Sequence, residues 1–436
     1  MILVNSLLKI FIIFSLITGC SFNSNSKFWT KERIKEKTQV KTEKIFSKKD
    51  PLNLEFNPNL KINLYSKAIN KTLVNNLSNN NGRVNFDGIL SNKQRFKFSK
   101  IQNFSRYEPE IIFDNKNTIF LDNKGSILKF DENSNLLWKK NFYTKEEIKT
   151  KPILQLTNNK KTLIIADNIS KYYSINIENG ELQWAKYNNS PFNSQIKIYK
   201  DKFFIIDSEN ILRCYSLNDG SEIWKIRTSK AIIKSQKKLS IVIVEDNIYF
   251  NNSIGDISAV DIESGDLLWQ TPTHNNLILA DSFSLKTSDL IATEDSILVS
   301  NNRNNFFSFD INSGTLNWQQ KINTYIRSTV INNFIFSITM NGFLTIIDNK
   351  SGKFIRVTDV FSFLKEKKRK KIKPVGFIIG LKNLYITTNN GRILVVDIKT
   401  GKTNLVVKVD NDKISRPFIN NKYLFLASED SIIKLN

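Results

Sequence analysis

Residues 241–269 read IVIVEDNIYFNNSIGDISAVDIESGDLLW, and this stretch decides the fold. Ile241-Val242-Ile243-Val244 is short and β-branched, as a buried strand requires. Glu245-Asp246-Asn247 is a polar turn, and Ile248-Tyr249-Phe250 a second apolar run. Ile257 to Asp261 forms a third run, Glu263-Ser264-Gly265 a tight turn, and Leu267-Leu268-Trp269 opens a fourth strand. Glycine suits that last turn because it adopts a positive φ without steric cost. One period is therefore strand, turn, strand, turn, strand, tight turn, strand.

The phrase Gly-x-x-x-Trp at the end of this stretch recurs. It appears at Gly180–Trp184, Gly220–Trp224, Gly265–Trp269 and Gly314–Trp318, with a degenerate copy from Ser134 to Trp138. Successive tryptophans stand 46, 40, 45 and 49 residues apart. Two later copies keep the glycine and lose the ring, with Gly352 followed by Arg356 and Gly401 by Leu405. An Asp or Asn four residues before the glycine, such as Asp261, Asp310, Asp348 or Asp397, is placed to bond the turn's backbone amides, so these acids read as turn-makers rather than catalysts. A strand-rich period in the forties predicts an all-β propeller with one four-stranded antiparallel blade per repeat. Trp138, Trp184, Trp224, Trp269 and Trp318 are then expected to dock blade against blade.

After the seventh turn, 416–435 supplies three more strands and the chain stops at Asn436. An eighth blade lacking its fourth strand would expose an edge, so the N-terminal segment is expected to supply it. Lys61–Ile69 alternates suitably, with Tyr65 in the tryptophan slot. The expectation is an eight-bladed ring over 61–436, closed by an N-terminal strand pairing with the C-terminal blade.

Lys9 precedes an apolar stretch, Ile10 to Ile17, that is too short to span a bilayer and reads as a signal peptide, residues 1–19. Leu16-Ile17-Thr18-Gly19-Cys20 resembles the bacterial lipoprotein box, which implies acylation of Cys20 with palmitate-type chains. Ser21 follows, and lipoproteins lacking Asp at that position usually sort to the outer membrane, which implies an anchor on its periplasmic face. Residues 20–60 are polar and read as a flexible tether; Trp29 lies in it, outside the repeats. With Cys20 acylated, Cys214 has no disulfide partner and reads as a small buried hydrophobe.

The net charge of +23 raises nucleic-acid binding, but an exported chain does not meet nucleic acid, and the excess of Lys, Asn and Ile runs along the whole sequence. One run is denser. Lys365–Lys373 holds seven basic residues and one acid, in a loop that is either simply solvated or placed against anionic headgroups.

The glycine-tryptophan repeat resembles the PQQ-like propeller repeat. Taken with the lipobox, the tether, the eight repeats and a chain end on a third strand, it resembles the BamB family of the outer-membrane β-barrel assembly machinery. That resemblance implies a non-enzymatic scaffold without a cofactor, which binds the periplasmic part of the barrel-inserting subunit and assists unfolded outer-membrane proteins. It also implies a partner surface on loops between middle blades, where Ile232, Ile233 and Lys234 and then Asp281 and Asp289 are the matching positions.

Two rival readings share the fold. A quinone-dependent dehydrogenase on this repeat would need a metal site and typically a vicinal cysteine pair, which the sequence lacks. His274 is the single histidine, so no histidine-based metal site or triad is available, and no catalytic residue is assigned. A propeller that binds a carbohydrate or peptide at its central funnel is the other alternative.

Overall fold

The computed structural model describes residues 54–68, 77–102, 104, 109–229, 237–273 and 284–436. Their strands form eight separate four-stranded antiparallel sheets. Seven sheets are built from consecutive strands, at 112–140, 154–187, 197–227, 241–271, 291–320, 329–359 and 374–408. We number these blades 1 to 7. Blade 8 takes Phe418–Asn420, Tyr423–Ala427 and Ser431–Leu435 from the C-terminus and its outer strand from Gln94–Lys97. The fold is thus the expected all-β, eight-bladed propeller, closed by an N-terminal strand.

Blade 4 shows how sequence becomes sheet. Its strands are Ile241–Val244, Asn247–Asn251, Ile257–Asp261 and Leu267–Thr271. The inner three are buried along nearly their whole length, whereas the outermost is half exposed. Continuous apolar runs therefore mark strands covered by blades on both faces. Asp261 Oδ1 accepts from the amides of Glu263 and Ser264 at 2.9 and 2.8 Å, and the Gly265 amide closes the turn on the Asp261 carbonyl. Beyond the turn, Ala259 pairs with Trp269 and Val260 with Leu267, so Leu268 is the extra residue of a β-bulge. The same register shift occurs between the last two strands of every blade from 1 to 7.

The closing strand differs from the expected one. Residues 61–68 make no strand and Tyr65 is 85% exposed; residue 69 lies outside the described residues. The donor is Gln94–Lys97, whose Phe96 pairs with Ile432 and is fully buried, edge-on to the Phe130 ring at 5.8 Å. The physical reason is that Ile62 already has a home. It packs among Phe336, Ile338, Leu384 and Ile398 at the junction of blades 6 and 7, with its amide on the Lys399 carbonyl.

Residues 54–66 thus form a strap over that junction. Phe56 and Val357 exchange both backbone hydrogen bonds, adding the strap to the outer strand of blade 6. Arg356, fully buried where earlier repeats carry tryptophan, donates to the Leu60 carbonyl at 2.9 Å, to Ile398 at 2.9 Å and to Lys399. Burial pulls its pKa down to about 10, partly offset by Asp397. A second stretch, residues 77–86, crosses the inner strands of four blades in turn. The carbonyls of Leu77 and Ser78 accept from Ile243 and Ala292, Asn80 Oδ1 from Val330, and the Val84 amide donates to Ile379.

Candidate functional site

The innermost strands of the eight blades surround the propeller axis, and the side chains aimed there form two layers. In the first, Asn79 is almost fully buried. Its amide nitrogen lies within 3.1–3.3 Å of Gln195 Oε1, Ser240 Oγ and the carbonyls of Ile241 and Leu290, and its oxygen accepts from Lys197 Nζ at 2.7 Å. Five partners from blades 3, 4 and 5 hold one side chain of the N-terminal segment.

The second layer is ionic. Glu110 Oε1 faces Lys238 Nζ at 3.5 Å, Arg327 at 3.5 Å and Arg416 at 3.3 Å. Arg327 also grips Asp289, its Nε at 2.8 Å from Oδ2. Burial alone would raise the Glu110 carboxyl, but Lys238, Arg416 and Arg327 outweigh it and hold the group at about 2. Burial likewise works against the Asp289 carboxylate, yet Arg327, Lys237, Lys238 and Arg416 push its pKa below the ordinary range. The Lys197 ammonium suffers the opposite balance. Burial and the repulsion of Arg327 lower it to about 7, despite Glu110 and Asp289. A void of about 10 Å³ remains between Glu110, Gln155, Thr157, Lys197 and Lys238, room for about one water molecule. Among the described residues, no three His, Cys, Asp or Glu side chains are grouped to hold a metal ion.

Between blades, each tryptophan reaches the turn of the next repeat. The indole nitrogens of Trp138, Trp184, Trp224, Trp269 and Trp318 donate to the carbonyls of Glu178, Leu217, Ile262, Ile311 and Asn349 at 2.9–3.3 Å. Trp318 is buried and the other four are half-buried. Blade 8 meets blade 1 differently: Gln94 Nε2 donates to Ser134 Oγ at 3.2 Å, and Ser134 holds a positive φ at the turn-glycine position.

Of the residues assigned to partner binding, Ile232, Ile233, Lys234 and Asp281 lie outside the described residues, as do Cys20 and His274. Asp289 sits on the axis, held by Arg327. Cys214 is buried, and burial pushes its thiol up to about 12. The axial groups Asn79, Glu110, Lys197, Arg327 and Arg416 escaped the sequence reading. A signal exists for part of them: Glu110, Asp289, Arg327 and Arg416 each stand two residues before the first strand of their blade.

The other accessible surface is the ring's circumference. Every outer strand has a free edge unless something pairs with it, and aliphatic side chains there are about half exposed, among them Leu136, Leu182, Ile223, Leu267, Leu316 and Leu405. Blade 6 alone among the described residues has its outer strand bridged by the chain itself, through Phe56.

Similar solved structures show the same fold. The crystal structure of BamB from Moraxella catarrhalis aligns with 79% of this chain and 100% of its own at a TM-score of 0.62 and 12% identity. The computationally designed Ika8 protein covers 78% of this chain and 99% of its own (TM-score 0.57, 10% identity). A europium-containing methanol dehydrogenase covers 81% of this chain and 88% of its own (TM-score 0.61, 10% identity). At such identities the likeness is one of fold, shared by BamB, a designed protein and a dehydrogenase alike. No curated protein matches the sequence significantly. A family model does: the one described as "Outer membrane protein assembly factor BamB" matches residues 123–358, more than half of the chain, and the chain belongs to that family.

Proposed function

We propose that this chain is a non-enzymatic scaffold lipoprotein, anchored through Cys20 to the periplasmic face of the outer membrane. There it binds the periplasmic part of the barrel-inserting subunit and assists insertion of unfolded outer-membrane proteins. The observation that carries the reading is the filled axis. Where a propeller would hold a small ligand, the Asn79 carboxamide is enclosed by five polar partners, and a cross-blade ion cluster is buried beside it. Surfaces remain for macromolecules: the loops between blades and the outer strand edges. Family membership supplies the class of partner. In the sequence, Ile232, Ile233 and Lys234 fall in the connection from blade 3 to blade 4, and Asp281 in that from blade 4 to blade 5. An extended client adds to a free outer strand through backbone bonds, as Phe56 does on blade 6.

Affinity purification of the tagged chain from membranes tests this. Recovery of the barrel-inserting subunit, weakened by Ile233→Asp, is expected. Failure to recover it, or tight uptake of a quinone with calcium by the purified chain, sinks the proposal.

A further inference from the structure

The basic run and the start of the strap meet on one rim of blade 6. Leu54, Glu55, Phe343, Asp359, Ser362 and Arg369 line a groove of about 770 Å³ there. Glu55 Oε1 accepts from the Asp359 amide at 2.9 Å, and Phe56 is paired to Val357, so the polypeptide leaves the ring at this groove. The helix Glu366–Arg369 forms the groove's far wall. Arg369 fixes it: one guanidinium nitrogen lies 2.5 Å from Asp359 Oδ2, another donates to the Asn341 carbonyl at 3.0 Å, and the group stacks over the Phe343 ring. With Arg369 engaged inward, Lys365, Lys367, Lys368, Lys370 and Lys371 are exposed. The one acid among them, Glu366, meets Lys370 at 3.0 Å with both side chains largely in water, so it cancels little of the charge. Beside the lysines stand two exposed apolar side chains, Leu54 at 80% and Phe363 at 49%.

We propose that this rim is a membrane-contact surface that binds the anionic headgroups of the bilayer entered by the chain's own anchor. Lysines around exposed apolar side chains are the chemistry of interfacial binding: ammonium groups meet phosphate while Phe363 and Leu54 enter the headgroup layer. The placement of the strap decides the occupant. Cys20 lies 34 residues before Leu54, a reach of at most about 120 Å, so an acylated Cys20 keeps this groove within that distance of the bilayer. Headgroup binding then becomes a second, intramolecular attachment, favoured by high effective concentration.

The inference rests in part on the anchored-lipoprotein reading, and the experiment separates the two. The mature chain, residues 20–436 with Cys20→Ser, which carries neither the signal peptide nor an acyl group, is sedimented with vesicles of phosphatidylcholine with and without phosphatidylglycerol. Binding is expected only to the anionic vesicles, and it should decline as salt is added. Replacing Lys367, Lys368, Lys370 and Lys371 with Gln should lower partitioning by roughly 600-fold, since each lysine at such a surface contributes roughly a fivefold factor. Phe363→Ser should lower it on the order of tenfold, with salt dependence retained. All five positions are exposed, so the variants fold, and unchanged melting curves verify it. Equal binding by parent and lysine variant, binding to neutral vesicles, or capture of an acidic protein without any vesicle binding overturns the proposal. Absence of acylation at Cys20 in cells, read by labelled palmitate, would remove the anchor while leaving the vesicle result to stand or fall alone.

Discussion

Gly265 has no Cβ because Trp224 of the preceding blade occupies its place: an added Cβ would stand 2.7 Å from the indole Cδ2. Gly265 also holds φ at +78°, which an L side chain resists. The two residues are halves of one clamp, completed by the bond from the Trp224 indole to the Ile262 carbonyl.

Gly265→Ala should therefore lower stability by roughly 2–4 kcal/mol, through backbone strain and displacement of the ring together. Trp224→Ala should cost on the order of 2–4 kcal/mol, at the low end for a tryptophan because the ring is only half-buried. In the Trp224→Ala background, Gly265→Ala should cost only the backbone part, about 1 kcal/mol. Urea unfolding midpoints of the four proteins measure this coupling. Equal costs for Gly265→Ala in both backgrounds would show that ring and turn act independently.

Ring closure gives a sharper contrast. Phe96→Ala should cost about 3–5 kcal/mol, because the fully buried ring seats the only N-terminal strand in blade 8, between Phe130 and Phe425. Tyr65→Ala should stay within about 0.5 kcal/mol, since that side chain stands in water. Thermal melts of the two variants suffice, and a Tyr65 effect equal to that of Phe96 would restore the earlier segment as the closing element.

These two positions also mark where the sequence was readable. The blade count was legible because turn and ring recur together, and each repeat needs both to dock on the next. The closing strand was not, because Gln94–Lys97 has four residues and one buried side chain, too little for a periodic signal, whereas Lys61–Ile69 alternates without pairing over its described residues. Arg356 looked like a lost ring. Its guanidinium nevertheless donates to Ile398, three residues before Gly401, as the Trp224 indole donates to Ile262, three before Gly265. A planar donor at the same spot replaces an indole there, and the strap supplies the apolar cover. The axial cluster stayed hidden for a different reason. Glu110 and Arg416 are 306 residues apart and meet only once the ring has closed, so no local pattern announces them.

That cluster makes the fold sensitive to acid in a predictable direction. Glu110 titrates near 2 in the folded chain against an ordinary 4.5, so its ionised form is favoured by folding. The stabilisation is fully present above about pH 4.5 and is lost as pH falls towards 2. Glu110→Gln keeps the size of the side chain but leaves Lys238, Arg327 and Arg416 facing one another without their shared carboxylate. At pH 7 it should cost on the order of 3 kcal/mol, the penalty of breaking a buried ion group from one side. The gap between variant and parent should narrow through about pH 4 and close near about pH 2, because the parent then carries a neutral carboxyl too. Lys197 acts in the opposite sense. With a folded pKa of about 7 against 10.5, its buried charge is a burden below pH 7 that is relieved as pH rises from 7 to 10.5. Lys197→Met should accordingly flatten the rise in stability over that alkaline range while leaving the acid limb in place. Urea midpoints across the pH range read both effects, and a Glu110→Gln deficit that stays constant from about pH 7 to about pH 2 would show that the carboxylate charge plays no part in holding the blades together.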